Sequence, residues 1–292
     1  MKIVILGGSG FLGKSLLQKL NKKFHVKIMI HYKEIELKGK KFKGDILSQR
    51  TLDNEISRRD IVVNLIGQYN KNLSTFIELN IIGGLNLLNS CIRKKINRII
   101  LISSINVYGE NLNFPSKETD PLRPQTVYGI VKLLNEKVYE YYSKTYGLNI
   151  TILRLSNLYG PYKKSGYIAS LINSINDNKP TTAYNKGQQL RDLLFVEDAA
   201  NGIIKAIKSP QQGFTIFNIS SGKRYVINDL IKMIERISHK KLNVKLSPKI
   251  YDERCIWADN SKAKRILKFN PRTTIENGLK ITVRHFMKSK LA

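Results

Sequence analysis

The stretch QTVYGIVK, residues 125–132, holds a tyrosine and a lysine four positions apart. On a helix that interval places Tyr128 and Lys132 on one face. A phenol beside an ammonium can transfer protons, because nearby positive charge lowers the phenol pKa. The pair is weak evidence by itself. With 14 Tyr and 50 Lys+Arg in the chain, chance supplies roughly two Tyr-x-x-x-Lys matches. A second match does occur, from Tyr159 to Lys163, but it spans Gly160-Pro161, which breaks a helix. What surrounds Tyr128 must therefore decide whether it does chemistry.

A second stretch with chemical potential is GGSGFLG at 7–13, with Gly7, Gly10 and Gly13 three apart. It follows the apolar run IVIL (3–6) and opens the helical pattern FLGKSLLQKL (11–20). In that context, glycines permit a tight turn and close approach of a pyrophosphate to uncapped N–H groups at the helix start. Such a site takes a dinucleotide. An acidic residue at the end of the next strand would favour NAD by binding the ribose. Here that end reads IHYKE, with His31 in the acid's place and Lys33 close by. These basic groups favour NADP. A shifted register would instead let Glu34 serve the ribose of NAD.

The elements that must position these groups follow from the hydrophobic pattern. Strands are expected at 3–6, 26–30, 61–66, 98–103, 149–155 and 214–219. Helices are expected at 11–20, 74–95, 125–146, 166–178 and 226–240. Near-continuous apolar strands alternating with helices predict an α/β fold, a Rossmann-type doubly wound parallel sheet. The alternation loosens after Pro161. This suggests a nucleotide-binding domain over 1–160 and a smaller α/β substrate-binding domain over 161–292, with segments near 190–225 able to return to the first.

The bulk composition narrows the function class. The 292 residues carry 50 basic and 22 acidic side chains, a net charge of +28, which attracts anions. The lysines are spread along the chain apart from the local cluster KGKKFK at 38–43, so the charge reads mainly as compositional. No basic, aromatic-interleaved platform for nucleic acid is present. No apolar run approaches bilayer length, so no membrane insertion is expected. Cys91 and Cys255 form no C-x-x-C, and the four histidines have no ligand spacing, so neither a disulfide framework nor a metal site is expected. A reduced cytoplasmic location fits.

Several segments together resemble the extended short-chain dehydrogenases/reductases, the NAD(P)-dependent nucleotide-sugar epimerase/dehydratase family. They are GGSGFLG (7–13), GDI (44–46), NLIGQ (64–68), NIIGGLNLLNSC (80–91), SSINVYG (103–109), PQTVYGIVK (124–132), LRLSNLYGP (153–161), RDLLFVEDAANGI (191–203) and WADNSKAKRILKFNP (257–271). The resemblance covers nearly the whole chain in order. It implies Ser104, Tyr128 and Lys132 as the catalytic set. It implies cofactor contacts from Gly7, Gly10, Phe11, Leu12, Gly13, Asp45, Ile46, Leu65, Ile66, Gly67, Asn80, Tyr128 and Lys132, beside His31 and Lys33. Substrate contacts would come from Ser104, Asn106, Tyr128, Asn157 and Arg191. Arg191 would bind the substrate diphosphate; otherwise it is a surface arginine paired with Asp192. A homodimer through helices 74–95 and 125–146 is also implied.

Sugar 4,6-dehydratases of this family carry Asp-Glu directly after the catalytic Ser/Thr, whereas this chain has Ile105 and Asn106, neither of them an acid. That argues against dehydration. The resemblance leaves a nucleotide-sugar epimerase, with C4 as the expected carbon, in the synthesis of polysaccharide or glycoconjugate precursors. An NADPH-dependent reductase of 4-keto-6-deoxy nucleotide sugars stands close behind. A catalytically retired RNA-binding or scaffold relative is the alternative of another class.

Overall fold

The computed structural model describes residues 1–20, 24–31, 39–67, 72–109, 114–177, 180–249 and 257–288. In chain order the elements begin β1 (Lys2–Leu6), α1 (Phe11–Lys19), β2 (His25–Ile30), β3 (Lys40–Lys43), α2 (Gln49–Glu55) and β4 (Asp60–Asn64). There follow α3 (Leu73–Ile77), a π-helical turn (Glu78–Ile82), α4 (Gly83–Arg93), β5 (Arg98–Ser104), α5 (Val127–Tyr146), β6 (Asn149–Leu155) and β7 (Asn157–Tyr159). The chain continues through α6 (Tyr167–Asp177), β8 (Thr181–Ala183), β9 (Leu190–Arg191), β10 (Leu193–Phe195), α7 (Val196–Lys208) and β11 (Phe214–Ile219). It closes with β12 (Tyr225–Val226), α8 (Ile227–Ser238), β13 (Val244–Leu246) and α9 (Ile275–Lys288).

Seven strands form one sheet in the order β11-β6-β5-β4-β1-β2-β3, and every neighbouring pair is parallel. Alternate side chains of each strand feed opposite cores. Ile3 and Ile5 of β1 pack with α1 and α7, while Val4 and Leu6 pack with α2, α4 and α5. Strand order reverses between β1 and β4, and the crevice at their carboxyl ends is where an open α/β sheet binds ligands. Three chain segments converge there: the glycine turn after β1, residues 65–67 after β4, and Ser104 at the end of β5.

A separate apolar cluster lies beyond β6. Tyr159, Leu171, Ile172, Phe195, Leu230, Ile234, Leu279 and Val283 meet there, drawn from β7, β10, α6, α8 and α9. The chain also returns to the main sheet, where β11 pairs with β6 from Phe214↔Ile150 to Ile219↔Leu155.

Three features differ from the sequence reading. First, the hydrophobic pattern marks no strand between 31 and 60, yet Lys40–Lys43 is the edge strand, paired from Lys27↔Lys40 to Ile30↔Lys43. Only Phe42 of its four residues points inward, so no apolar run marks it. The exposed lysines suit an edge that must not recruit further strands. Second, α9 was not foreseen, because Gly278 and the β-branched Ile281, Thr282 and Val283 weaken its helical signal. Third, Leu73–Arg93 is, among the described residues, one helix long and apolar enough to cross a membrane. Its polar residues hide this from a search for unbroken runs. Its inner face carries Phe76, Leu87, Leu88 and Cys91 into the core.

Candidate active site

β5 delivers Ser104 to the sheet edge, where its Oγ accepts a hydrogen bond from Asn106 N at 3.2 Å. α5 starts opposite it. Thr126 caps that helix by accepting from Gly129 N at 3.2 Å, the usual role of an N-cap threonine. Gly129 is required there, since a Cβ would collide with the carbonyl of Asn106. This close approach sets Tyr128, in the first turn of α5, beside Ser104. Burial pushes the pKa of the Tyr128 hydroxyl up, and the neighbouring Ser104 hydroxyl draws it back. The Tyr128 ring stacks on Phe76 of α3 with centroids 5.7 Å apart and planes 15° apart.

Lys132 follows one turn later, 3% exposed. Its Nζ lies 6.0 Å from the Tyr128 ring centroid and donates to Asn80 Oδ1 at 3.1 Å and to the Ile102 carbonyl at 3.4 Å. Burial pulls its pKa down to about 8, opposed by the negative charge of Glu136. Asn80 sits inside the π-helical turn, a device that recurs at functional sites. Gly67 backs onto Asn80 and Lys132 so closely that any side chain there would strike both.

The glycine turn lies across the crevice. Gly7 holds φ 81°, and its carbonyl accepts from Gly10 N at 3.1 Å. A side chain at Gly13 would collide with the carbonyls of Gly7 and Gly8, so the turn can tuck beneath α1 only with glycine at 13. No side chain caps the N-terminus of α1, which leaves its N–H groups directed at the crevice. Phe11 and Leu12 follow, half-buried. Leu65 N bonds to the Leu6 carbonyl at 3.0 Å and Ile66 N to Asn64 Oδ1 at 3.0 Å, which fixes the facing wall. Asp45 lies beside His31, with Oδ2 3.3 Å from Nε2. Ile46 turns its side chain into the core beneath Gly83 instead, 1% exposed. Lys33 lies outside the described residues.

Asn157 and Arg191 line a single cleft of about 110 Å³ with Lys163 and Tyr167. Arg191 donates to the Leu190 carbonyl at 2.8 Å and to Gln189 Oε1 at 3.4 Å. Its neighbour Asp192 is buried and turned inward. It accepts from Ser221 N at 3.1 Å, Ser221 Oγ at 2.7 Å and Ala258 N at 3.3 Å. Burial holds the Asp192 pKa up at about 6.

Behind Lys132 is a buried polar network that the sequence reading missed. Glu136, 2% exposed, accepts from Arg154 Nη2 at 2.7 Å and Nε at 3.1 and 3.2 Å, and from Ser103. Arg154 Nη1 donates to the Tyr108 hydroxyl at 3.0 Å, which in turn donates to Asn218 Oδ1 at 2.6 Å. The network ties α5, β5, β6 and β11 together directly under Ser104 and Lys132. Two signals could have revealed it: Tyr128, Lys132 and Glu136 recur every four residues on one helix face, and Arg154 interrupts an otherwise apolar strand.

A parallel sheet with a glycine turn at its switch point and a Ser-Tyr-Lys set across the crevice defines a dinucleotide-dependent enzyme fold. The family model described as "NAD dependent epimerase/dehydratase family" matches residues 3–220, and the chain belongs to that family. The uncharacterized UDP-glucose epimerase YtcB of Bacillus subtilis (strain 168) is 30% identical over 303 residues, 96% of each chain. Among solved structures, the UDP-glucose 4-epimerase of Thermotoga maritima with UDP-glucose superposes with a TM-score of 0.89 at 28% identity, covering 99% of this chain and 100% of that one. The UDP-glucuronic acid 4-epimerase of Bacillus cereus with UDP-glucuronic acid and NAD gives a TM-score of 0.88 at 27% identity, with 99% and 100% covered.

Proposed function

We propose that this protein is a nucleotide-sugar 4-epimerase acting on a UDP-hexose with a resident NAD. The observation that carries the proposal is the meeting of Ser104, Tyr128 and Lys132 at the crevice, with Tyr128 beside Ser104 and Lys132 buried one turn away. The solved relatives that hold UDP-glucose or UDP-glucuronic acid support the substrate class.

The crevice fits a dinucleotide. The uncapped start of α1 suits a pyrophosphate, and the glycines at 7, 13 and 67 permit close approaches of backbone and side chains around the crevice that a Cβ would block. Bound there, NAD supplies the hydride acceptor and donor. Tyr128 takes the proton of the sugar O4 as the carbon is oxidised and returns it on reduction. Ser104 fixes that oxygen by hydrogen bonding. Lys132, held by Asn80, orients the nicotinamide ribose and favours the phenolate by its charge. Arg191 offers a planar donor fork to the diphosphate, with Asn157 beside it in the cleft. Ile105 is packed with Val107, Tyr108 and Ala258 and brings no acid to the sugar, which argues against dehydration.

Two observations weigh on the cofactor. His31, directly after β2, is one of the two basic groups, with Lys33, that favour NADP. Its Nε2, however, faces the Asp45 carboxylate, which offsets positive charge there and disfavours a 2′-phosphate. This supports NAD. The test is to denature the purified protein, identify the released nucleotide, and follow UDP-glucose, UDP-glucuronate and UDP-N-acetylglucosamine by NMR for inversion at C4. Stoichiometric NAD with inversion of one of these sugars is expected. A protein that carries no nucleotide and consumes NADPH with a 4-keto sugar would replace the epimerase by a reductase.

We also propose that the enzyme is a homodimer. Val127, Ile130, Leu134 and Tyr141 expose an apolar stripe along α5, and Leu73, Ile77 and Ile82 expose another along the helix packed beside it. A second copy of the same two helices would cover both stripes in an isologous contact. Ile130→Glu combined with Leu134→Glu is expected to convert the dimer to a monomer in sedimentation. A wild type that already sediments as a monomer refutes the assembly.

A further inference from the structure

The turn after Gly160-Pro161 carries a lysine whose charge is not matched by any carboxylate among the described residues. Lys163 N closes the turn onto the Gly160 carbonyl at 3.4 Å. Between them Tyr162 holds φ 68°, the left-handed region that a bulky residue rarely occupies without cause. Its ring packs on His285 of α9 with centroids 4.0 Å apart, which anchors the turn on one side. On the other side Lys163 reaches across to the nucleotide-binding sheet. Its Nζ lies 5.2 Å from the centroid of Phe11, the first residue of α1 and the one directly after Gly10. Lys163 is half-buried, and burial lowers its pKa. An ammonium drawn from water without an anion is unfavourable, and an aromatic face compensates only in part.

We propose that Lys163 is a clamp on the cofactor's pyrophosphate, contributed by the substrate-facing turn rather than by the nucleotide motif. The inference rests on the dinucleotide reading above. A pyrophosphate at the start of α1 lies against Phe11, within reach of an ammonium held over that ring. Lys163 then supplies a charge-assisted hydrogen bond on the side the glycine turn leaves open. The same side chain lines the cleft of Asn157 and Arg191. The turn that borders the substrate therefore also holds the cofactor down, and the cofactor leaves only when that turn lifts. Slow release is what a resident, recycled nucleotide requires.

The experiment compares wild type with Lys163→Met, Lys163→Gln and Lys163→Arg, each checked for native circular dichroism. Two quantities are read: exchange of bound NAD for isotope-labelled NAD, and UDP affinity by calorimetry. Loss of one charge-assisted contact to phosphate is expected to speed NAD exchange about tenfold or more in the Met and Gln variants. The Arg variant should stay within about threefold of wild type, and UDP affinity should change less than NAD exchange does. Unchanged exchange in both neutral variants overturns the clamp. So does a large loss of UDP affinity with exchange intact, which would assign the ammonium to the substrate diphosphate. A wild type that binds neither NAD nor NADP would instead sink the dinucleotide reading itself.

Discussion

Tyr128→Phe is expected to lower turnover by about 10²- to 10⁴-fold, the range for loss of a positioned acid/base group. The substitution is nearly isosteric. The ring keeps its stack on Phe76, and Lys132 keeps Asn80 and the Ile102 carbonyl. Only the hydroxyl beside Ser104 is removed. Bound NAD should therefore be retained at wild-type stoichiometry while the rate collapses. Turnover near the wild-type rate would show that another group moves the proton. The pH profile gives an independent check. Lys132 carries its positive charge below about 8 and loses it above. A rate that depends on that charge falls as pH rises through this value. Stability moves the other way: the cost of burying the ammonium is present below about 8 and is relieved as pH rises from there toward the lysine's ordinary 10.5. A rate that is flat from pH 7 to 9.5 would deny Lys132 its electrostatic role.

Arg154→Met is expected to destabilise the protein by about 3–5 kcal/mol, the range for breaking a buried ion pair from one side. The methionine fills space but leaves the Glu136 carboxylate in the interior with Ser103 as its remaining hydrogen-bond partner among the described residues and Lys132 as the nearby opposite charge. Combining Arg154→Met with Glu136→Gln removes both charges and should recover much of the loss, because the stranded carboxylate is the larger penalty. Urea unfolding of the two single variants and the double variant measures this coupling. If Arg154→Met unfolds at the wild-type midpoint, the pair contributes nothing net. The network also bears on catalysis. Glu136 lies one turn beyond Lys132 on α5, and Ser103 directly precedes Ser104 on β5. Disturbing the pair should therefore shift Lys132 and Ser104, the side chains proposed to act on the sugar and cofactor, and raise the loss of rate above what stability alone explains.

The doubly wound parallel sheet was legible in the sequence because its strands are short apolar runs separated by amphipathic helices. That pattern follows from burying a sheet on both faces. The glycine turn was legible because only glycine permits the close approaches made at Gly7 and Gly13. The Tyr128–Lys132 spacing was legible because four residues make one helical turn. The edge strand Lys40–Lys43 was not, since three of its four side chains are solvated lysines and pairing with β2 alone makes it a strand. Nor was the role of Gly129, which follows from how closely α5 approaches residues 105–107. The convergence of Ser103, Glu136, Arg154, Tyr108 and Asn218 joins residues more than a hundred positions apart. The His31–Asp45 contact and the reach of Lys163 to Phe11 likewise depend on how separate loops fold over one crevice. Local pattern determined the elements and the chemistry of the nearest-neighbour motifs. Packing decided which charges are paired, which remain open to a ligand, and therefore how the chemical groups are tuned.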